Sequence, residues 1–302
     1  MSAARPPNIV IVIADDLRAD VVEDPLVRTP NLDALAADGV TFAQNFATIP
    51  VCAPSRIANF TGLYPQAEGH RSLYQLLRPE EQNLFKLLKE NGYQMAMTGK
   101  NDLMSAEALA CSFDRRLASQ QSIHLDMVRE RAQTLPLGKR AELAWLLFRL
   151  ARIEHKPPQS VLSDPRMRPF ADLIPVERNP FPPGHRLHHT FYFGRIADGD
   201  PSAEMDNRII ASAIQYLRSS PLEPFCLFVA TTLPHTPYRV EEPYFSMYDR
   251  SAIPDPIPAR LEDKPHFMRE LYRLYGMERL GPEDYREMRG TYYGMVSKLD
   301  TL

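Results

Sequence analysis

Asp15 and Asp16 are adjacent carboxylates that directly follow an apolar run, Asn8 to Ala14. Two like charges side by side are costly unless a cation offsets them, and oxygen donors of this type suit a hard divalent cation, calcium or magnesium. Taken alone the pair reads equally well as solvated loop carboxylates or a helix cap. Cys52 lies one turn before a segment that Pro54 and Ser55 can start as a helix, and a cysteine near a helix N-terminus tends to be activated. Arg56 would then stand one helical turn from Cys52. The plainer reading of such a cysteine is a buried structural one. Lys100 ends Thr98-Gly99-Lys100, and His235 sits in Pro234-His235-Thr236-Pro237; each by itself reads as a solvated loop side chain. Gly69-His70-Arg71 offers a His-Arg pair suited to a charged substrate, or an exposed ion-pairing loop. His185, His188 and His189 lack zinc-site spacing and read as solvated, while Cys111 and Cys226 read as core residues.

The elements that must position these groups follow from apolar patterning. The β-branched run at residues 8 to 14 has no polar alternation, which predicts a parallel strand covered on both faces. Thr29-Pro30-Asn31 reads as a helix cap with a first-turn proline, Leu32, Leu35 and Ala36 continue at helical spacing, and Gly39 stops the helix. Residues 40 to 46 look strand-like. Leu84, Leu87 and Leu88 predict a helix ended by Asn91-Gly92, and Tyr93 to Met97 a strand that delivers Thr98-Gly99-Lys100. Residues 207 to 218 predict another helix, Phe225 to Ala230 another buried strand, and residues 283 to 302 a final helix. Alternation of this kind predicts an α/β domain with a largely parallel sheet, its binding loops gathered at the carboxyl ends of the strands. Between about 112 and 190 the pattern breaks down into one helix near 139 to 153 and a proline-rich run, which predicts an inserted excursion that shapes a pocket wall or a contact surface.

Composition narrows the class. The chain has 302 residues, a formal charge of -3, 28 prolines and three cysteines. A near-neutral charge gives no reason to expect nucleic acid or an anionic membrane as partner, and three cysteines do not describe a disulfide-stapled secreted module. No apolar signal region precedes the first strand and no later run is long enough to span a bilayer, so a soluble, cytoplasmic protein is the expectation.

Cys52-Ala53-Pro54-Ser55-Arg56 followed by Thr61-Gly62 resembles the sulfatase signature C-x-P-S-R with its downstream T-G. The Asp15-Asp16 strand end, the helix after Thr29, the Thr98-Gly99-Lys100 strand end and the His235 loop resemble sulfatase segments in that family's order. The resemblance implies the N-terminal part of a sulfatase catalytic domain over residues 1 to 302, with an insertion at about 112 to 190. The implied fold is alkaline phosphatase-like, a largely parallel sheet flanked by helices and incomplete at its C-terminus. The implied activity is hydrolysis of a small-molecule or saccharide sulfate ester. Cys52 would be converted to formylglycine by a formylglycine-generating enzyme, with a divalent cation, calcium before magnesium, held by Asp15, Asp16 and the modified Cys52. Arg56 would hold the formylglycine hydroxyls, Lys100 would reach a sulfate oxygen, and His235 would donate near the leaving oxygen. His70 and Arg71 would contact substrate.

Departures from the family pattern bear on that reading. Many sulfatases continue the lysine motif as G-K-x-H-L, whereas Gly99-Lys100-Asn101-Asp102-Leu103 places Asp102 at the histidine. A carboxylate can serve as a base but not as a cationic donor. Asn59 occupies a position that is normally apolar. The family's second metal pair, in D-H-G or D-N-G, has no counterpart after the last helix, and Asp300 inside that helix is not a substitute. Two other readings follow: phosphoester or phosphonate ester hydrolysis on the same scaffold, and a non-catalytic remnant that binds anions.

Overall fold

The computed structural model describes residues 6–154, 158–174 and 179–302. Its strands and helices run, in order, β1 (Ile9–Ile13), α1 (Ala19–Val22), α2 (Pro30–Asp38), α3 (Cys52–Thr61), α4 (Leu84–Glu90), β2 (Gln94–Gly99), α5 (Ala106–Ser112), β3 (Arg115–Ser119), α6 (Gln120–Arg131), α7 (Leu137–Phe148), α8 (Pro158–Leu162), β4 (Tyr192–Arg195), α9 (Met205–Arg218), β5 (Phe225–Ala230), β6 (Tyr238–Val240), α10 (His266–Leu274) and α11 (Pro282–Thr301). They divide into two compact units. The first comprises residues 1–13, 46–177 and 204–231, and the second residues 14–45, 178–203 and 232–302.

The first unit is built on a parallel four-stranded sheet in the order β1-β5-β2-β3. One face is covered from α3, α4 and α5, where Phe85 meets Phe60, Phe113 and Phe228 at ring-centroid distances of 4.5 to 4.9 Å. The other face is covered from α6 and α9 by Ile123, Met127, Ile209 and Ala213. β5 is buried along its whole length, as its unbroken apolar run requires. β1 departs from that expectation. As the edge strand it half-buries Ile9, Ile11 and Ile13, while Val10 and Val12 are 50% and 59% exposed, because the helices on that face cover the inner strands only.

Residues 40 to 46 form no strand among the described residues, and Val40, Phe42 and Phe46 are exposed. The apolar run has no neighbour to complete a backbone ladder. Conversely, β3 lies inside the segment expected to be an excursion, and its Arg115 and Arg116 pair with Ala96 and Met97 of β2. The helix expected near 139 to 153 is α7 with a following π turn, and with α6 and α8 it closes a separate core around Leu143, Leu147, Leu150 and Phe170.

The second unit gathers around α11. Tyr292, Tyr293 and Val296 pack with Val21, Val27, Tyr248 and Ile253. The Thr29 side chain does not cap α2; its hydroxyl donates to Asp33 instead. The cap comes from Asp300, whose carboxylate accepts from the backbone N–H of Asn31 and Leu32 at 3.2 and 2.7 Å. Pro30 has no N–H, so these are the first helix donors that need a partner. Asp300 is thus a capping residue. No helix among the described residues is long and apolar enough to cross a membrane.

Candidate active site

α3 begins at Cys52 itself, not after it, with Val51 as the extended residue before the first turn. Pro54 in that turn lacks only an N–H that the helix could not use. The helix ends at Gly62, whose φ of +73° is the left-handed conformation glycine adopts without strain. Ala53, Arg56, Ile57 and Phe60 are buried on it, and Asn59 lies on its exposed side, which explains how a polar residue is tolerated there. Cys52 is half-buried at the helix N-terminus, where the unpaired N–H groups favour negative charge.

β2 brings the next two groups. Gly99, with φ +96°, pairs against Ala230 of β5 so closely that a Cβ would stand 1.9 Å from the Ala230 carbonyl oxygen. Only glycine fits this approach. The Lys100 N–H donates to the same oxygen at 2.9 Å, which fixes where the lysine leaves the sheet. Asn101 then closes the loop on Met104, its side-chain amide donating to the Met104 carbonyl and accepting from the Met104 N–H. Asp102 sits in this turn at φ +23°. Asn101 and Gly99 are positioning residues with no chemical role of their own. The sequence signal for them is a glycine at a strand end with an asparagine two residues on.

These elements bring Cys52, Arg56, Lys100 and Asp102 together. Arg56 is 3% exposed and donates from Nη1 to the Lys100 carbonyl at 3.1 Å. Lys100 Nζ lies 3.0 Å from the Asp102 carboxylate. Burial by itself would raise the Asp102 carboxyl, but the Lys100 ammonium, a hydrogen bond from Cys52 and the Arg56 charge together hold it below its ordinary value. Asp102 is therefore an ionised acceptor for the group at position 52. The cluster carries two cations and one carboxylate.

His70 and Arg71 are not placed alike. His70 is 2% exposed, and its ring nitrogens lie 2.7 Å from the Gln75 carbonyl and 2.9 Å from Glu81. Both ring nitrogens are thus engaged within the protein. Arg71 is exposed. A cavity of about 320 Å³ lined by His70, Glu81, Tyr64 and Thr61 lies toward the C-terminal end of α3.

In the second unit, Asp15 is 5% exposed, and its N–H donates to the Leu233 carbonyl at 3.1 Å. Asp16 is exposed, adopts φ +63°, and its carbonyl accepts from the Tyr292 hydroxyl at 2.7 Å. Burial pushes that hydroxyl up to about 12, which keeps it a donor. His235 is half-buried, and its Nδ1 lies 2.6 Å from the Thr236 carbonyl. A carbonyl can only accept, so Nδ1 carries a proton.

Among the described residues no group of three or more histidine, cysteine, aspartate or glutamate side chains is arranged to hold a metal ion. His185 and His189 are exposed, and His188 Nδ1 lies 2.7 Å from the Phe181 carbonyl. Cys226 is buried in β5 as expected. Cys111 is not a core residue: α5 turns Ala108, Leu109 and Ser112 inward and leaves Cys111 exposed.

The parallel α/β sheet, with Lys100 and Asp102 following an inner strand, belongs to the alkaline phosphatase-like class of folds. Solved structures of this class superpose on the chain. A phosphonate monoester hydrolase of Agrobacterium radiobacter does so with a TM-score of 0.61 and 23% identity, covering 98% of this chain and 57% of its own. Within the class the chain belongs to the sulfatase family, whose family model matches residues 7–302. It is 25% identical to the multifunctional alkaline phosphatase superfamily protein PehA of Trinickia caryophylli, over 97% of this chain and 57% of that protein. It is 40% identical to human steryl-sulfatase over 115 residues, 32% of this chain and 19% of that protein. The chain thus spans a little over half the length of the relatives it matches from end to end.

Proposed function

We propose that the chain provides the nucleophile and anion-binding half of a hydrolase that cleaves a monoanionic ester, a sulfate ester first. The observation that carries this reading is the convergence of Cys52, Arg56, Lys100 and Asp102 described above. Conversion of Cys52 to formylglycine would supply a hydrated aldehyde whose hydroxyl attacks sulfur. At position 52 Asp102 would accept the proton of that hydroxyl, Arg56 would hold the group in place from one turn away, and Lys100 would bind a sulfate oxygen. His235 would serve the leaving oxygen. Asp15 and Asp16 would be carboxylate donors to a calcium ion, an assignment that rests on the motif match.

Asp102 also bears on charge. A fixed carboxylate beside the reacting atom opposes a dianionic phosphate monoester more than a singly charged sulfate ester or phosphonate monoester. Similarity over nearly the whole chain to a multifunctional phosphatase-superfamily protein and to phosphonate monoester hydrolases supports phosphonate monoesters as the second substrate class. The test is co-expression with a formylglycine-generating enzyme, mass analysis of the Cys52 peptide, and side-by-side turnover of aryl sulfate, phenylphosphonate ester and aryl phosphate. The expected result is an aldehyde or its hydrate at position 52 and turnover of sulfate ahead of phosphate. An unmodified thiol, or a preference for the phosphate monoester, overturns the proposal.

A further inference from the structure

We propose that Tyr292 is a positioning residue for Asp15 and Asp16, taking that pair as the cation donors proposed above. Its hydroxyl holds Asp16 in the conformation that sets the two carboxylates relative to each other. Asp16 has φ +63°, in the left-handed region that a residue with a Cβ keeps only where its surroundings over-determine it. Tyr292, 8% exposed on α11, supplies that constraint. Its hydroxyl accepts from the Arg18 N–H at 3.0 Å and donates to the Asp16 carbonyl at 2.7 Å. The N–H can only donate and the carbonyl only accept, so the single hydroxyl proton has one direction. One oxygen atom thus ties both ends of the turn Asp16-Leu17-Arg18 ahead of α1. Asp15 is pinned separately through its N–H to the Leu233 carbonyl at 3.1 Å. Rotation about the Asp16 N–Cα bond would swing its Cβ, and with it the second carboxylate, away from the first.

The ring of Tyr292 has a separate task, packing edge-on against Tyr238 at a centroid distance of 5.9 Å, which a phenylalanine would keep. α11 repeats the pattern further along. The Tyr293 hydroxyl donates to the Asp24 carboxylate at 2.9 Å, the Ser297 hydroxyl donates to the Arg28 carbonyl at 2.8 Å, and Asp300 caps Asn31 and Leu32. These contacts advance along α11 in the same order as along residues 16 to 32. The helix is therefore a template on which that segment is laid, and Tyr292 is the member of the row at the carboxylates. Placement matters because the pair is short of donors. Carboxylates are hard oxygen ligands of the kind calcium takes, and no third histidine, cysteine or acidic side chain gathers with them among the described residues. A site with few protein ligands depends on how rigidly they are held.

Tyr292→Phe in the 302-residue chain removes the hydroxyl and keeps the ring. Tyr293→Phe, which removes the next hydroxyl on α11, is the control. Amide exchange and backbone ¹³C shifts read the clamp. In Tyr292→Phe the Arg18 amide should exchange about tenfold faster, as loss of one hydrogen bond allows. The Asp16 shifts should leave the left-handed range while the Asp15 amide keeps its protection. Terbium chloride, titrated by luminescence as a hard-cation probe, reads the consequence. Tyr292→Phe should bind it about tenfold more weakly, as loss of a group supporting metal ligands commonly does, and Tyr293→Phe should match the wild type. Unchanged Arg18 exchange and Asp16 shifts overturn the proposal, as does an equal loss of terbium affinity in Tyr293→Phe. Wild-type affinity in Tyr292→Phe, when Asp15→Asn and Asp16→Asn both abolish binding, also overturns it, because the carboxylate pair then holds the cation without the clamp. Terbium binding absent from the wild type, or indifferent to both asparagine variants, instead overturns the cation reading of the pair, and the positioning role falls with it.

Discussion

Gly99→Ala tests whether close backbone approach is what places Lys100. Gly99 has φ +96°, a conformation that costs an L-residue roughly 1–2 kcal/mol. A Cβ there would lie 1.9 Å from the Ala230 oxygen and 3.1 Å from Ile209 Cγ2. Relief needs β2 to move from β5 by about 1 Å, an overpacking strain of roughly 1–3 kcal/mol. The same movement stretches the 2.9 Å bond from the Lys100 N–H to the Ala230 oxygen, worth about 0.5–1.5 kcal/mol. The expected loss is therefore about 3–6 kcal/mol. Gly92→Ala is the control. Gly92 has φ +87° but nothing within 4 Å of the added Cβ, so it should lose only the conformational part, about 1–2 kcal/mol. Urea unfolding followed by far-UV circular dichroism, with linear extrapolation, measures both variants. If the two lose equal stability, to within about 0.5 kcal/mol, close approach is not what fixes the strand end.

Thiol reactivity and pH offer two further checks. Cys111 is exposed, whereas Cys226 is fully buried in β5 and burial pushes its thiol up to about 11; iodoacetamide followed by peptide mass analysis should label Cys111 in the native chain and Cys226 only in denaturant. His124 on α6 is held below its ordinary value by burial. Its charged form is therefore disfavoured in the folded state, so stability is full above about pH 6.5 and declines as pH falls below it, because the unfolded chain takes the proton first. His124→Gln should flatten the fall in thermal midpoint between about pH 6.5 and 5; an unchanged slope would assign the dependence elsewhere.

What the sequence made legible was set by local forces. β1, β2 and β5 declare themselves as short apolar runs, and α4, α9 and α11 as 3.6-period stripes, since each pattern reflects burial on a face. β3 did not: Arg115-Arg116-Leu117-Ala118-Ser119 is half-polar and becomes a strand because β2 offers a free edge. Residues 40 to 46 failed in the opposite sense, with strand propensity and no edge to join. Val10 and Val12 were misjudged because an apolar run does not tell whether a strand is central or at the edge. The α2 cap was assigned to Thr29 because a cap from Asp300, 268 or more residues away in sequence, leaves no local trace.

The candidate site divides along the same line. Cys52 and Arg56 were readable because an i, i+4 relation is fixed by the helix, and Lys100 because a glycine ends its strand. The partner of Asp102 was not readable. Its contact with Cys52 spans two helices, the loops after them and a strand, and depends on Asn101 bending the chain into a positive-φ turn. Where many sulfatases have a histidine, the chain has a carboxylate held below its ordinary value, which can accept a proton and carries a negative charge. Replacing Asp102 by a neutral residue of equal size removes both effects together, whereas a histidine restores proton handling without the charge. Comparing Asp102→Asn with Asp102→His therefore separates the two roles. Loss of turnover in both variants would mark the carboxylate as the required base, and rescue by His with improved use of phosphate monoesters would mark its charge as what selects the substrate.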